Sequence, residues 1–188
     1  MSAVRLRKVA SSKAELEECR EQAKLHACPH CRRLGTLIGH GLLWGYAERQ
    51  ARQRVVRGRR LLCSKRYRRP GCGRTVSIWL DSVIAGFLVR TRTLSAFVDL
   101  VSDGSSVKAA WETAAGGALS LGSGYRLWHR LVQAQSELRT RLCGVAPAPS
   151  SSSRLPWTQL LAHFQLVLPG ADCVFARFQN VFQAALLA

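Results

Sequence analysis

"CPHC" at residues 28–31 and "CSKRYRRPGCG" at residues 63–73 carry four of the chain's seven cysteines. Cys28 and Cys31 are two residues apart, the spacing of a metal knuckle. Cys63 and Cys72 are eight apart, wider than the usual two to four or so. A loop that bulges out between two ligands costs entropy that grows only slowly with its length. Zinc takes four soft ligands in a tetrahedron, and two cysteine loops facing each other supply them. Cys28, Cys31, Cys63 and Cys72 are therefore read as one Zn2+ site. His30 or His40 in place of Cys63 is the rival ligand set. The 31 residues between Cys31 and Cys63 would form the intervening hairpin of a zinc ribbon. Glycines on both sides of Cys72 permit a sharp loop around a thiolate. Four thiolates leave no open position on the ion, so the metal is expected to be structural. A redox role for "CPHC" lacks the βαβ pattern that accompanies it. Cys19, Cys143 and Cys173 stand alone and are read as free thiols.

Charge is the strongest global feature. The 188 residues hold 28 Lys and Arg against 11 Asp and Glu, a formal net charge of +17. Polyanions, and nucleic acid above all, are the natural partners of such a chain. Hydrophobic content of 47% supplies a core. From Arg49 to Arg74 there are eleven basic residues and no acid, and ten of the eleven are arginine. The arginine fork fits phosphate oxygens and guanine edges. Arg57, Arg59, Arg60, Lys65, Arg66, Arg68, Arg69 and Arg74 are the candidates for backbone contact, and Tyr67 among them could stack. With about six phosphate contacts, log K should fall with log salt at a slope near −5.

The N-terminus has positive charge but no apolar stretch behind it, so no secretory signal is expected. The longest apolar window, "VSIWLDSVIAGFLV", is too short to span a bilayer. Clustered thiols without export point to a reducing compartment, and the cytoplasm is the expected location.

The fold expected is α+β and mostly α. Residues 1–26 hold a short acidic helix over 11–26, opened by Ser12 with Glu15 three residues on. Its glutamates could cover part of the basic surface, but a solvated helical face is the plainer reading. Residues 27–78 are the zinc ribbon of short strands. Residues 79–145 turn helical, with helices expected near 81–90, 93–102, 106–115 and 121–142. "APAPSSSSRLP", 146–156, is a linker by composition, and 157–188 is a helical tail. The tail's two amphipathic helices are separated by Pro169 and Gly170.

Within 79–145, Ser105 or Ser106 caps "VKAAWETAA", Gly116 and Gly117 end it, and Ser120 opens the next helix. Leu121, Tyr125, Trp128, Leu131, Val132, Leu138 and Leu142 mark its core stripe. Ser123, Arg126, His129 and Arg130 lie mostly away from that stripe. A short supporting helix, a glycine turn and a helix with small and basic residues at its start follow the helix-turn-helix grammar. The turn is longer than the motif's usual three or four residues or so. DNA is expected to meet the helix at 121–131.

The order of parts, "CPHC", a basic hairpin, "GCGRTVS", then helices ending in "SGYRLWHRL", resembles the zinc-ribbon plus helix-turn-helix proteins of bacterial insertion sequences. These include transposase-like and accessory proteins that bind element ends. The resemblance covers roughly residues 27–142. It implies zinc on Cys28, Cys31, Cys63 and Cys72, and duplex DNA at the 121–131 helix. The tail from 146 has no counterpart in that pattern. A cutting domain would need three carboxylates and on the order of 100 residues. Only 32 residues follow the linker, with Asp172 their single acid. The chain is thus expected to be a non-catalytic DNA-binding protein on the nucleoid, an accessory protein, repressor or remnant of a mobile element. An RNA-binding zinc-ribbon protein of the translation apparatus is the alternative. A transposase or a second copy could meet the C-terminal helices, although packing on their own domain is the plainer reading.

Overall fold

The computed structural model describes residues 6, 8–50, 52–66, 70–150, 153 and 155–187. The chain is α+β, with one four-stranded sheet and six α-helices among those residues. It divides into two compact units, residues 1–46 with 52–81, and residues 47–51 with 82–188.

In the first unit β1 (Val9–Ala10) precedes α1 (Lys13–Glu21) and a turn of 3-10 helix (Gln22–Leu25). β2 (Leu37–Tyr46), β3 (Arg54–Cys63) and β4 (Thr75–Leu80) follow, and the sheet order is β1-β4-β3-β2. β2–β3 and β3–β4 are antiparallel, while β1 runs parallel to β4. The start of α1 is capped as the sequence predicts. The Ser12 hydroxyl accepts the Glu15 N–H at 3.1 Å, and the Glu15 carboxylate accepts from the Ser11 N–H at 2.6 Å. Leu16, Cys19 and Ala23 are buried with Leu37, Leu61, Val76 and Ile78 as the unit's apolar interior.

The acidic helix is not merely a solvated face. α1 packs on β1, β3 and β4, and Glu17 forms an ion pair with Arg59, whose side chain is 9% exposed. The two residues are 42 positions apart, beyond the reach of any local pattern.

The second unit holds α2 (Thr91–Ser102), α3 (Val107–Ala115), α4 (Leu121–Cys143), α5 (Pro156–Val167) and α6 (Val174–Phe182). The helix expected near 81–90 is absent. Val83 instead forms a β-bridge with Arg90, and Gly86 adopts φ +81°, a left-handed conformation that interrupts a helix. Val83, Ile84 and Val89 are nonetheless buried, which explains the apolar signal. A short apolar run of this kind reads alike for a helix and for buried extended chain.

One apolar cluster joins α2–α4 to the C-terminal helices. Phe97 meets the rings of Trp111 and Trp128 edge-on at 5.3 and 5.8 Å, and Phe164 meets Phe175 and Phe178 edge-on at 5.4 Å each. Such pairs add about 0.5–1.5 kcal/mol each beyond the area they bury. Trp157 of α5 lies 5.6 Å from Trp128 of α4. Residues 157–187 are thus part of the helical unit rather than a tail hung from it. Buried Gln179 ties the unit's two ends together. It donates to the Val83 carbonyl and accepts from the Leu186 N–H, both at 3.0 Å. Among the described residues no helix is long and apolar enough to cross a membrane.

Candidate functional site

The Sγ atoms of Cys28, Cys31, Cys63 and Cys72 all lie within 4.8 Å of one another. Cys28 and Cys72 are 3.8 Å apart at sulfur, Cys31 and Cys63 3.7 Å. A tetrahedron of metal–sulfur bonds about 2.3 Å long has sulfur–sulfur edges of about 3.8 Å, so the cluster has the size of a metal site.

Backbone hydrogen bonds explain how unequal spacings reach one geometry. In the first loop the Arg32 N–H donates to the Cys28 carbonyl at 2.7 Å, and the Cys28 N–H donates to Arg33 O at 3.0 Å. In the second the Gly73 N–H donates to the Cys63 carbonyl and the Cys63 N–H to Arg74 O, both at 2.9 Å. In each loop the residue after the second cysteine is left-handed, Arg32 at φ 60° and Gly73 at φ 76°. The two loops are therefore the same knuckle, one with an insertion. The insertion is closed at its neck, where the Gly71 N–H donates to the Ser64 carbonyl at 3.1 Å. A Cβ at Gly71 would stand 2.1 Å from that oxygen, so only glycine fits.

The second knuckle also prepares a thiolate. Burial opposes charge on Cys63, but Thr36, the Cys72 N–H and the thiols of Cys28 and Cys31 outweigh it and bring the Cys63 thiol down to about 6. The Thr36 hydroxyl lies 3.2 Å from Cys63 Sγ, and the Cys72 N–H donates to that sulfur at 3.2 Å. Burial pushes the Cys28 thiol up to about 11. A divalent ion reverses that second effect, because a coordinating thiol is deprotonated outright. Neither His30 nor His40 belongs to the cluster, and both are exposed.

The basic residues separate into distinct groups. Arg57 and Arg59 are buried, at 8% and 7% exposure. Arg59 is engaged by Glu17, and the Arg57 side chain crosses the position where Gly45 lacks a Cβ. Their charges are not on the open surface that the sequence suggested. Arg60, Lys65, Arg66 and Arg74 are exposed. Tyr67, Arg68 and Arg69 lie outside the described residues.

On α4 the buried positions are Gly124, Leu127, Leu131, Leu138 and Leu142. Tyr125 and Val132, expected in the core stripe, are 50% and 47% exposed. The stripe is displaced because Gly124, too small to register as apolar, is the residue that meets α3. A Cβ there would lie 2.5 Å from the Trp111 ring. The Trp111 indole N–H donates to the Ser120 carbonyl at 3.0 Å, just before α4 begins. The end of α3 is set by Gly116 at φ 57° and its start by Ser106, whose hydroxyl accepts the Ala109 N–H at 3.2 Å. α4 is thereby held against α3 through a ring lying on bare backbone.

Arg126, His129 and Arg130 are exposed on the first half of α4, and Ser123 is half-buried beside them. With Tyr125 and the Phe87–Leu88 segment they line a groove of about 630 Å³. The structure thus brings the four α4 candidates together. Tyr125, read from the sequence as core, belongs with them, and its i−1 neighbour Gly124 was the signal available. No family model, curated protein or solved structure matches the chain.

Proposed function

We propose that this chain is a zinc-bound, non-catalytic DNA-binding protein that meets duplex DNA with the first half of α4. The observation that carries this reading is the basic face of Arg126, His129 and Arg130, presented on a long helix that Trp111 and Gly124 pin to α3. Five residues, 116–120, separate α3 from α4, a slightly extended helix-turn-helix connection. The positive end of the helix dipole favours phosphate at the start of α4. Arg126 and Arg130 are the candidates for guanine edges or phosphates, and Ser123 and Tyr125 for positioning contacts. Zinc, when bound by the four thiolates, would serve as a structural cross-link that stiffens the sheet unit. A role as an accessory protein or repressor of a mobile element agrees with the order of parts, and inverted repeats flanking the gene would support it.

Titration of the full-length protein against labelled duplexes at several salt concentrations tests the reading. Arg126→Ala and Arg130→Ala should each flatten the salt slope by about one contact and weaken binding about 5- to 100-fold at moderate salt. Unchanged affinity in the double variant, or tighter binding to structured RNA than to any duplex at equal salt, would overturn it.

A further inference from the structure

The sheet unit carries a second surface with the chemistry of nucleic-acid contact. β2 is an edge strand, so among the described residues one side of its backbone has no neighbouring strand. Trp44 and Tyr46, two residues apart on that strand, share a face. Both stay half exposed, at 50% and 51%. Tyr46 pairs across the hairpin with Arg54, whose guanidinium carbon lies 5.4 Å from the Trp44 ring centroid. The guanidinium lies over one face of the indole, and half of the Trp44 surface stays exposed. Beside it His40, Leu42, Leu43, Trp44, Arg54 and Arg60 wall a shallow hollow of about 330 Å³. No carboxylate lines the hollow. Natural edge strands are usually guarded by charge or covered. Here the guard is arginine and the exposed groups are flat rings.

Flat rings beside arginines suit an unpaired nucleic-acid strand, whose bases stack while its phosphates are neutralised. They suit a closed duplex poorly, because its base faces are already stacked. We propose that the exposed face of β2, with the β3 arginines beside it, binds single-stranded DNA, with Trp44 and Tyr46 stacking on bases and Arg54 and Arg60 meeting phosphates. This rests on the nucleic-acid reading of the chain but not on the α4 face. A protein with both surfaces would hold duplex and exposed strand at once, as at a melted or processed DNA end.

The test uses the full-length protein and an oligo(dT) of about ten nucleotides. Oligo(dT) should quench the wild-type tryptophan emission, and Trp44→Leu should weaken oligo(dT) binding about 5- to 100-fold while leaving duplex affinity unchanged. Trp44→Phe should keep most of the affinity and lose the quenching, which separates stacking from damage to the fold. Undiminished oligo(dT) affinity in Trp44→Leu, or quenching by a blunt duplex as strong as by oligo(dT), would overturn the proposal. The double variant Arg126→Ala/Arg130→Ala separates the two readings. Should it keep duplex affinity while Trp44→Leu loses oligo(dT), the α4 reading falls and the hairpin surface stands. The reverse pattern removes the hairpin surface alone.

Discussion

In the helical unit Phe97, Trp111, Phe164, Phe175 and Phe178 are each exposed by 1% or less, whereas the sheet unit buries no aromatic ring that deeply among its described residues. The sheet unit's largest fully buried side chains are Leu16, Leu37, Leu61 and Ile78, and it spends two internal positions on Arg57 and Arg59. Area bookkeeping gives about 1.5–3 kcal/mol for each fully buried large apolar side chain, so the sheet unit has less burial to set against the ordering of its four strands and loops. One unit is held by rings packed edge to face, and the other gathers four cysteine sulfurs at the spacing of a metal site. They should therefore fail under different insults.

The largest effect should come from removing metal. Exhaustive chelation of the full-length protein, or Cys31→Ser, deletes an interaction worth about 10–16 kcal/mol in small zinc peptides. Amide exchange should then lose protection across β2, β3 and β4 while α2–α6 keep theirs. Retained protection in the strands would break the contrast, and lost protection in the helices would merge the two units. Next in size is Phe164→Ala, which should cost the helical unit about 3–5 kcal/mol through the cavity left among Phe175 and Phe178. Thermal unfolding monitored by near-ultraviolet dichroism should show that loss, with metal affinity unchanged. A fall in metal affinity would show that the units share their stability.

The smallest effect sharpens the picture within the helical unit. Burial, then the Asp103 carboxylate, raises the Asp99 carboxyl above its ordinary range, with a hydrogen bond from Ser95 opposing them. Both acids sit at the C-terminal end of α2, where the helix dipole disfavours negative charge. A carboxyl whose folded value is raised favours the folded state only while protonated, and that contribution is lost as pH rises through the folded value. Asp99→Asn should therefore stabilise by a few tenths of a kcal/mol at neutral pH, a small figure because the group is largely exposed. The gain should vanish in acid, below the ordinary carboxylate range. Denaturant midpoints at the two pH values check it, and an equal gain at both would remove the electrostatic cause.

Local chemistry was legible in the sequence where one residue type answers one physical demand. Ser12 and Ser106 were readable as caps, Gly116 as a helix end, and the four clustered cysteines as a set that belongs together. The misreadings came from features whose meaning depends on distant partners. Glu17 finds Arg59 across the fold, and Val9–Ala10, of which the sequence suggested nothing, pairs as a strand with Trp79 and Leu80. Residues 81–90 are apolar because they are buried, and apolarity without a long period does not distinguish a helix from extended chain. Tyr125 was placed inside because it falls on a helical spacing, but Gly124 occupies the contact with Trp111. A glycine at an interface is invisible to any pattern that looks for bulk. The wide cysteine gap was readable as tolerable, yet not as a second copy of the first loop, since the equivalence resides in backbone hydrogen bonds rather than side chains.

The closed neck between Ser64 and Gly71 gives the protein a place to vary at little risk. The chain leaves and re-enters the knuckle at the Ser64–Gly71 hydrogen bond, and inside that neck the Cys63–Gly73 and Cys63–Arg74 backbone bonds hold the loop around the sulfurs. A change in the number or kind of residues between 65 and 70 should therefore leave the spacing of the four sulfur atoms unaltered. Gly71 is the hinge pin of that arrangement, and it is the one position there that no such change could include.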